Sequence, residues 1–536
     1  MFLAYNNSIN MTNISKNIKQ RGITPIVTVI ILIVISTILV LLILSFGREH
    51  TNKSLERTND IDNFTVSDAE SFIYPKEMQN GVLLFNYNPP ADIEDKEITI
   101  TGYKIANVSG MEPIQLETPF TFSANSQNVL VLDCLYEHSV KDKVDLKLIT
   151  ADYKYIDISV RDPDMVCSSG GTGTEEDPIV VCNADDLNAV RLNLDANYVL
   201  GKDIDLKCYS RREEEGWEPI GTDFENGFNG IFDGQNHTIS NLYINTDNDN
   251  IGLFGFVAYN EGKTIEIKNL ILKDVNITGN QNVGSIAANF AMYAIISNVH
   301  SSGTINGESY VGGLVGKNTY GGFNSIGGDL NFSSFTGQIN SSGAYAGGLI
   351  GRNFGNIENS NSNIIINSNG DNVGGIVGDN KGIISKVHSK GSITSSGNYV
   401  GGTIGINGGK IYNSYSLCEV SGNDYVGGLV GMNKIGSGMG FPPTPSGYIY
   451  YSFSAGRVTG VSNVGGFVGG GNASDIYYSV YDTNTSEQSD TGKGAPKTTE
   501  EMKQQQTYVG WDFTNVWAID PNKNNGYPYL IFNTGD

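Results

Sequence analysis

The chain has 536 residues, too many for one ordinary domain, so we expect several units in series. Its formal net charge of −23 gives it no electrostatic reason to bind nucleic acid or anionic lipid. Glycine is abundant, at 66 residues, but proline is scarce, at 15, so the glycine is neither linker-like nor collagen-like. An aromatic content of 10% favours a folded chain over a disordered one.

An almost wholly apolar stretch occupies residues 23–46 and reads ITPIVTVIILIVISTILVLLILSF. At about 1.5 Å per residue, a helix of this length spans roughly 36 Å, enough to cross a membrane with some tilt. Lys16, Lys19 and Arg21 precede it, so the positive-inside rule places the short N-terminus in the cytoplasm and the remainder outside. We predict a helix over residues 23–47 that contacts the membrane through its apolar stretch.

The junction before this stretch runs from Lys19 to Pro25 and reads KQRGITP, with a basic residue and a glycine directly before the apolar helix. It resembles the N-terminal segment of archaeal type IV pilin precursors. In that family a prepilin peptidase removes a short leader, and the freed helix packs against other pilin subunits. The resemblance implies a leader of residues 1–22, cleavage between Gly22 and Ile23, and both kinds of partner. The alternative is an uncleaved single-pass anchor.

A change of pattern follows the apolar helix. Residues 48–66 are polar and charged, which is typical of a spacer, and residues 67–165 contain runs of alternating apolar and polar residues. Such alternation indicates strands with one buried and one wet face. The clearest runs are 98–101, 144–148 and 156–160. We predict a small antiparallel β-sandwich, joined to the next unit by a linker of residues 166–178.

Five cysteines are present, four of them in one stretch: Cys134, Cys167, Cys182 and Cys208. Outside the cell they would form one or two disulfides whose pairing the sequence does not fix, and the alternative is free buried thiols. No CxxC pair occurs, so no zinc site is predicted. Cys418 stands alone and is interpreted as a small core residue.

Internal repetition is the strongest signal in the chain. An octad followed by Asn begins at five positions, which are Tyr310, Tyr345, Asn372, Tyr399 and Tyr425, and the first copy reads YVGGLVGK. Further, divergent copies begin at Asn250, Asn282 and Asn463. The glycines of the five clear copies are predicted to be structural: Gly312, Gly313, Gly316, Gly347, Gly348, Gly351, Gly374, Gly375, Gly378, Gly401, Gly402, Gly405, Gly427, Gly428 and Gly431.

Each period also holds short β-rich runs between the octads, so one repeat contains about three strand-like segments separated by turns. So short a unit cannot bury its own apolar face, whereas stacked units form a continuous core. Helical repeats are excluded, because glycine at this density destroys helices. A parallel β-solenoid satisfies these facts, with glycine where coils turn or approach closely. The Asn after each octad is expected to turn the chain or to pair with its equivalents in neighbouring coils.

These octads resemble the GLUG motif of bacterial and archaeal surface proteins, and the resemblance covers residues 168–536. It implies surface attachment. The motif also occurs beside peptidase domains, of which this sequence shows none. We expect residues 179–248 to form an N-terminal cap and the first coils, residues 249–490 the repeat solenoid, and residues 491–536 a C-terminal cap.

Both ends of the solenoid carry capping signals. A helix is predicted over residues 185–194, because apolar side chains recur on one face, with Asn183 or Asp185 as its N-cap. Those apolar residues are Leu187, Val190 and Leu194, and Arg191 on the same side weakens the stripe. At the other end, aromatic residues that include Trp511 and Trp517 are expected to plug the last coil.

Catalytic signatures are absent from the sequence: no HExxH, GxSxG or P-loop motif occurs. His300 and His388 occupy equivalent places in their repeats, but Tyr415 and Phe453 stand there in two others, which argues against a metal site. Acidic residues do not recur in register, as a glycosidase-like site would require. We therefore predict no enzymatic activity, no metal and no cofactor.

Several Asn-x-Ser/Thr sequons offer glycosylation sites if the protein is exported. In the predicted mature region these are Asn52, Asn63, Asn107, Asn236, Asn276, Asn331, Asn340, Asn472 and Asn484.

The fold class that follows is mostly β: an N-terminal transmembrane or pilin helix, a small antiparallel β-sandwich and a parallel β-solenoid or β-helix. The leading hypothesis is an archaeal pilin-like adhesin, a minor or tip subunit of a pilus, that binds other cells or surfaces through an unknown glycan or protein ligand. It would be extracellular, held at the cell surface by its N-terminal helix in a membrane or a pilus. The alternatives are a membrane-tethered carbohydrate-active β-helix enzyme, which rests on analogy of fold, and a passive cell-envelope protein.

Overall fold

The computed structural model of the protein describes part of the chain and divides it into two compact units. The first unit contains the described parts of Met1–Met78, Val82–Leu130 and Val144–Arg161, and the second those of Gln79–Gly81, Val131–Lys143 and Asp162–Asp536. The described residues are 73–79, 82–88, 98–106, 113–132, 143–161, 167, 170–209, 215–258, 263–291, 293–318, 327–434, 447–471, 473–491 and 493–531. The predicted leader, apolar helix and spacer of residues 1–66 lie outside them.

Two small sheets make up the first unit. Ile73–Gln79, Val82–Tyr87 and Ser126–Val131 form a three-stranded sheet. A four-stranded sheet contains, in spatial order, Ile114–Thr121, Thr99–Ile105, Lys143–Thr150 and Tyr155–Arg161. Thr99–Ile105 pairs antiparallel with both of its neighbours. The three alternating runs seen in the sequence are therefore confirmed as strands.

Aromatic packing joins these two sheets. The ring of Phe85 lies 4.6 Å from that of Phe122, between centroids, and the ring of Tyr87 lies 5.5 Å from it, both edge-on. Ile100 and Leu148 are fully buried, as the alternation of apolar and polar residues requires.

Successive coils of parallel strands build the second unit. Three sheets run along it: sheet A has seven strands, sheet B has eight and sheet C has 23. The strands of sheet A are Gln281–Val283, Ser309–Gly312, Ala346–Gly347, Val373–Gly374, Val400–Gly401, Asp424–Gly427 and Ser462–Gly465. Those of sheet B are Phe254–Val257, Ala287–Phe290, Val315–Asn318, Ile350–Asn353, Val377–Asn380, Ile404–Asn407, Val430–Asn433 and Val468–Gly471.

Sheet C carries the remaining strands of every coil. They are Ile179–Val181, Tyr198–Leu200, Ile204–Asp205, Ile231–Asp233, Thr238–Ser240, Tyr243–Asn245, Ile265–Thr278, Ala294–Gly307, Asp329–Asn331, Ser334–Ser341, Asn356–Glu358, Asn361–Ser368, Ile383–Ser385, His388–Ser395, Lys410–Tyr412, Tyr415–Ser416, Glu419–Ser421, Tyr448–Tyr450, Phe453–Ser454, Val458–Thr459, Ile476–Tyr477, Val480–Asp482 and Ala495–Lys497. Equivalent strands of neighbouring coils pair in parallel, as in Asn361–Ser368 with His388–Ser395. The prediction of a mostly β chain with parallel sheets is confirmed.

Each clear octad forms a strand of sheet A, a sharp corner and a strand of sheet B. In the first copy, Ser309–Gly312 is followed by a corner at Gly313 and Leu314, and then by Val315–Asn318. A Cβ atom at Gly313 would lie 2.3 Å from the carbonyl oxygen of Gly348 in the next coil. Such a contact is impossible, so stacking of the coils explains the glycine at this corner.

A continuous apolar core fills the coils from Val181 to Tyr481. Leu314, at the octad corner, is fully buried, as are its equivalents Leu349, Ile376 and Leu429. Burying one such side chain contributes about 1.5–3 kcal/mol. Stacking of coils is therefore the main source of stability, as expected for repeats that have no core of their own.

The N-terminal helix is shorter than the sequence predicts. It spans Ala184–Ala189, and a single turn of 3₁₀-helix over Val190–Leu192 follows. Asn183 is the N-cap, since its side-chain oxygen accepts from the backbone N–H of Asp186 at 2.8 Å. Arg191, which weakened the predicted stripe, lies with its guanidinium 5.4 Å from the centre of the Trp217 ring.

A disulfide bond fastens the segment before the first coil. Cys167 and Cys182 are joined, and Cys208 is disulfide-bonded as well. Cys134 lies outside the described residues. The predicted linker is therefore held to the first strand, Ile179–Val181, which immediately precedes Cys182. Cys418 is a buried free thiol, which confirms its interpretation as a core residue.

The strand Ala495–Lys497 pairs with Val480–Asp482 of the last coil, but the aromatic residues after it, which the sequence suggested as a plug, pack on the flank of the last coils. The C-terminal segment contains the helices Thr483–Ser486 and Thr499–Met502, the 3₁₀ turns Gln505–Thr507 and Asn524–Gly526, and a hairpin of Trp517–Ala518 with Tyr529–Leu530. A further 3₁₀ turn, Ala473–Asp475, precedes it. The ring of Trp517 contacts Tyr415 and Phe453, which belong to two different coils.

Among the residues that the structure describes, no helix is long and apolar enough to cross a membrane.

Candidate functional site

The asparagine that follows each clear octad belongs to a buried column, which we call the inner amide ladder. Each Nδ2 donates to the Oδ1 of the next coil: Asn318 to Asn353 at 2.9 Å, Asn353 to Asn380 at 3.0 Å, Asn380 to Asn407 at 3.0 Å and Asn407 to Asn433 at 2.9 Å. All five side chains are completely buried. Asn353 also accepts from and donates to the backbone of Gly355, so the residue both turns the chain and pairs between coils.

A left-handed backbone conformation marks the corner at which each clear octad begins, and the residue preferences of tyrosine do not predict it there. The first residue of every clear octad has a positive φ: 56° at Tyr310, 69° at Tyr345, 62° at Asn372, 61° at Tyr399 and 55° at Tyr425. Asn often adopts this conformation, but Tyr rarely does. The tyrosine rings stack between neighbouring coils, with centroids 4.7 Å apart for the first pair and 5.3 Å for the last. The alternation of Asn and Tyr at this octad position was the available signal.

The two repeat-equivalent histidines lie in one column of sheet C, with Ser334 and Asn361 in register between them. His388 stacks on Tyr415 with ring centroids 4.8 Å apart, and Tyr415 stacks on Phe453 at the same distance. The ring nitrogens of His300 contact the hydroxyl of Ser334 at 2.8 Å and the amide oxygen of Asn298. Burial lowers the pKa of His300, which favours its neutral form. The described residues include no cluster of three His, Cys, Asp or Glu side chains that could hold a metal ion.

A second column of amide and hydroxyl groups runs on the outside of sheet C, and we call it the outer amide ladder. In register, its members are Thr278, Asn306, Asn340, Asn367 and Thr394. Asn306 donates to the hydroxyl of Thr278 at 3.1 Å, Asn340 to Asn306 at 2.8 Å and Asn367 to Asn340 at 3.2 Å. Unlike the inner ladder, these side chains are half-buried or exposed.

This ladder forms one wall of an open groove of about 880 Å³, which we call the outer groove. The remaining lining residues are Asp247, Gly279, Asn280, Gly307, Glu308, Ser341, Ser342, Ser368, Asn369 and Ser396. Neither a basic nor an aromatic side chain is among the described residues that line it. Its two acids, Asp247 and Glu308, are both exposed.

The chemistry of the outer groove is that of repeated neutral hydrogen bonding. Amides and hydroxyls both donate and accept, so they suit a ligand that presents hydroxyl groups at regular intervals. Coils of a parallel sheet repeat about every 4.8 Å, which sets the spacing of these groups along the groove. The lining residues thus supply repeated hydrogen-bond donors and acceptors, an arrangement that suits binding. No pattern in the sequence marked this groove, although Asn340 belongs to a sequon.

The structure describes five of the nine sequon asparagines. Asn236, Asn276 and Asn484 are exposed, whereas Asn331 and Asn340 are half-buried. Asn52, Asn63, Asn107 and Asn472 lie outside the described residues. The Nδ2 atom of Asn340 already donates within the outer amide ladder, so a glycan there would disrupt the ladder.

Comparison with known families finds one match, over residues 182–303, to the N-terminal region of the M26 IgA1-specific metallo-endopeptidases. This region contains the first coils and the beginning of the outer amide ladder.

Relatives among characterised proteins include surface and membrane proteins. A Gly-rich membrane protein of Evansella cellulosilytica is 34% identical over 419 residues, which cover 69% of this chain and 46% of that protein. Halomucin of Haloquadratum walsbyi is 32% identical over 211 residues, 34% of this chain and 2% of halomucin. Immunoglobulin A1 protease of Streptococcus sanguinis is 38% identical over 91 residues, 16% of this chain and 4% of the protease. The chain thus spans less than half the length of each of these relatives.

A solved structure of an IgA1 protease overlaps 75% of this chain and 28% of its own, with 17% sequence identity and a TM-score of 0.35. The relatives and the parallel-stranded coils are consistent with a protein of the cell surface.

Proposed function

We propose that this protein is a cell-surface adhesin whose outer groove binds a neutral, hydroxyl-rich glycan on another cell or surface. The observation that carries the proposal is the outer amide ladder, because it repeats the same hydrogen-bonding groups once per coil in an open groove. A polymer with regularly spaced hydroxyls would contact several coils at once. Weak individual hydrogen bonds would then add up along the groove.

The anchoring belongs to the same proposal. The apolar residues 23–46 would hold the protein in a membrane or, after cleavage between Gly22 and Ile23 by a prepilin peptidase, in a pilus with other pilin subunits. The junction KQRGITP and the length of the apolar stretch support it. Sequencing the N-terminus of the protein isolated from its own cells tests it. A chain that begins at Ile23 supports a pilus subunit, and an uncleaved chain leaves a single-pass adhesin.

Binding to the outer groove can be tested with full-length protein in detergent on an array of neutral polysaccharides. Asn340→Leu removes one rung of the ladder and should weaken binding about tenfold, since one or two hydrogen bonds are lost. Thr336→Leu is the matched control, because Thr336 is exposed on the same strand, Ser334–Ser341, but does not line the groove. Equal binding by both variants would remove the groove from the proposal. Absence of binding to any glycan or cell would favour a passive envelope protein.

The match over residues 182–303 favours a second candidate, participation in proteolysis at the cell surface. On that hypothesis the coils recognise a protein substrate for a peptidase. Incubation of the full chain with IgA1 should leave the immunoglobulin intact if the adhesin proposal holds. Specific binding or cleavage of IgA1 would support the second candidate.

A further inference from the structure

Positive charge is concentrated on the outer face of sheet B, although the chain as a whole is strongly acidic. Lys317 and Arg352 lie on neighbouring coils, in register with Asp379 on the next. Lys381 and Lys434 each directly follow an asparagine of the inner amide ladder and are two coils apart. We call these four cations and Asp379 the basic cluster.

One end of the basic cluster is internally neutralised. The side chain of Asp379 is only 5% exposed, and its two carboxylate oxygens contact different cations. Arg352 Nε lies 3.1 Å from Oδ2, and Lys381 Nζ lies 2.9 Å from Oδ1. The protein therefore already places a carboxylate between two cations on this face, one of them from the neighbouring coil.

At the other end of the basic cluster, Lys434 lies two coils from Lys381, the partner of Asp379, and has no carboxylate in an ion pair of its own among the described residues. Gly408 occupies the coil between Lys381 and Lys434, and a Cβ built on Gly408 would be 3.3 Å from Lys381 Nζ. The lysine side chain thus lies over the bare backbone of Gly408 and points along the coil axis. Within the described parts of the chain, no Asp or Glu forms an ion pair with Lys434. The segment that follows Lys434, residues 435–446, contains no acidic residue either.

The ammonium groups of Lys381 and Lys434 repel each other when no anion lies between them. Both lysines are half-buried, so water screens their charges incompletely. Burial, first, and then the neighbouring ammonium of Lys381 lower the pKa of Lys434, and the more distant carboxylate of Asp379 only partly opposes them. Burial and Arg352 likewise lower the pKa of Lys317 at the other edge of the basic cluster. An anion between the two lysines would relieve the repulsion between them.

We propose that Lys381 and Lys434 form a binding site, over Gly408, for the carboxylate of an acidic glycan. Asp379 shows a similar geometry inside the molecule: one carboxylate contacts Lys381 of its own coil and Arg352 of the neighbouring coil. A carboxylate supplied by a ligand would repeat this pattern further along the same face. Charge-assisted hydrogen bonds from both ammonium groups would hold it.

Apolar groups beside the site favour a sugar as the carrier of that carboxylate. Ile406 and Met432 occupy the same outer column as Asp379, on the two following coils. Tyr399 and Tyr425 stack along the neighbouring octad corners. Apolar and aromatic surfaces pack against the C–H faces of sugar rings. This site lies on sheet B and does not depend on the outer groove of sheet C.

Binding to defined polymers tests the proposal directly. At physiological ionic strength, full-length protein with Asn340→Leu, which weakens the outer groove, should bind polygalacturonate, and binding should be lost when the same polymer is methyl-esterified, since only the negative charge is removed. Lys434→Gln should weaken binding at least tenfold, because a charged hydrogen bond is lost. Lys410→Gln is the control: it removes the same charge from an exposed position on sheet C and should bind like the unaltered protein.

A second pair of variants fills the site from within. Gly408 has no left-handed φ, and the nearest atoms belong to the flexible end of Lys381, so a small side chain fits there. Gly408→Asp should place a carboxylate between the lysines, abolish binding of polygalacturonate and raise the unfolding temperature by about 1–2 °C over Gly408→Asn. Gly408→Asn has nearly the same shape but no charge, so it should retain binding.

The results of these binding experiments either support the carboxylate site or overturn it. Equal binding by Gly408→Asp and Gly408→Asn, or equal binding of the polymer and its methyl ester, would overturn the proposal. Dextran sulfate that binds as tightly as polygalacturonate would replace the carboxylate by anions in general and overturn the stated ligand class. Asn340→Leu should leave binding of polygalacturonate unchanged, so failure of the outer groove and failure of this site are distinguishable.

Discussion

The two amide ladders run along the same coils with the same chemistry but in different surroundings. The inner ladder passes through Asn380, which is completely buried, and closes its hydrogen bonds on itself and on the backbone two residues later. The outer ladder passes through Asn340, whose side chain is only half-buried. Burial thus determines the role of a stacked asparagine. Where water is excluded, all of its hydrogen-bond partners must be protein atoms. Where water is present, those partners can be exchanged for a ligand.

The largest effect is expected from breaking the inner ladder. Asn380→Leu would leave the Nδ2 of Asn353 and the Oδ1 of Asn407 buried without their ladder partners. Two such groups together should cost about 3 kcal/mol or more of unfolding free energy. Chemical denaturation of the full-length protein, followed by circular dichroism, measures this. A loss below 1 kcal/mol would show that water enters the inner ladder and that the contrast between the ladders is false.

The buried thiol of Cys418 tests whether water enters the core of the solenoid. Burial raises the pKa of Cys418 to about 11, from 9.0. Between about pH 9 and pH 11 the unfolded thiol has lost its proton while the folded thiol keeps it, so stability should fall as the pH rises. The two pKa units correspond to roughly 2–3 kcal/mol. The difference between the unaltered protein and Cys418→Ala isolates this contribution from that of the tyrosines.

Alkylation gives an independent check on the same thiol. At pH 8, iodoacetamide should modify Cys418 only as fast as the unit unfolds, because the side chain is fully buried. Rapid modification of the folded protein would contradict a dry core.

A much smaller effect is expected at the outer ladder. Asn340→Leu should change the free energy of unfolding by less than about 1 kcal/mol, since water can replace the lost amide at a half-buried site. Denaturation under the conditions used for Asn380→Leu provides the comparison. A cost similar to that of the inner substitution would give both ladders a structural role and weaken the case for the outer groove as a binding site.

The smallest expected effect is a difference in glycosylation between two sequons. Asn276 is exposed, whereas the Nδ2 of Asn340 is engaged at 2.8 Å with Asn306. Glycopeptide mass spectrometry of protein from its own cells should therefore find higher occupancy at Asn276 than at Asn340. The reverse order would mean that the outer ladder is open or absent when the chain is modified.

Much of the architecture was readable from the octads. Glycine at the corner predicts close stacking of coils, and Gly313 meets the backbone of Gly348 as expected. The asparagine after each octad was expected either to turn the chain or to form a ladder, and Asn353 does both. Cys418 also lies in the core, as its isolation in the sequence suggested.

The sites themselves were not predictable, because they arise from register between coils of unequal length. Lys381 and Lys434 come together only when Gly408 is aligned between them, and nothing in the local sequence marks the pair. The outer amide ladder joins Asn306 to Asn340 across a longer coil than the one from Asn340 to Asn367. Left-handed tyrosines such as Tyr345 contradict residue preferences and are tolerated where rings stack between coils.

Because the clear octads are in equal register, whole repeats can be gained or lost as the gene evolves. Asn372 and Tyr399 occupy the same corner of successive coils with nearly the same φ, 62° and 61°. Removing residues 372–398 would join Asp371 to Tyr399 with every column of the solenoid still aligned, one rung shorter. Unequal recombination between repeats of the gene would therefore add or remove whole coils without misfolding. We expect natural variants of this protein to differ by complete repeats and to keep both ladders continuous.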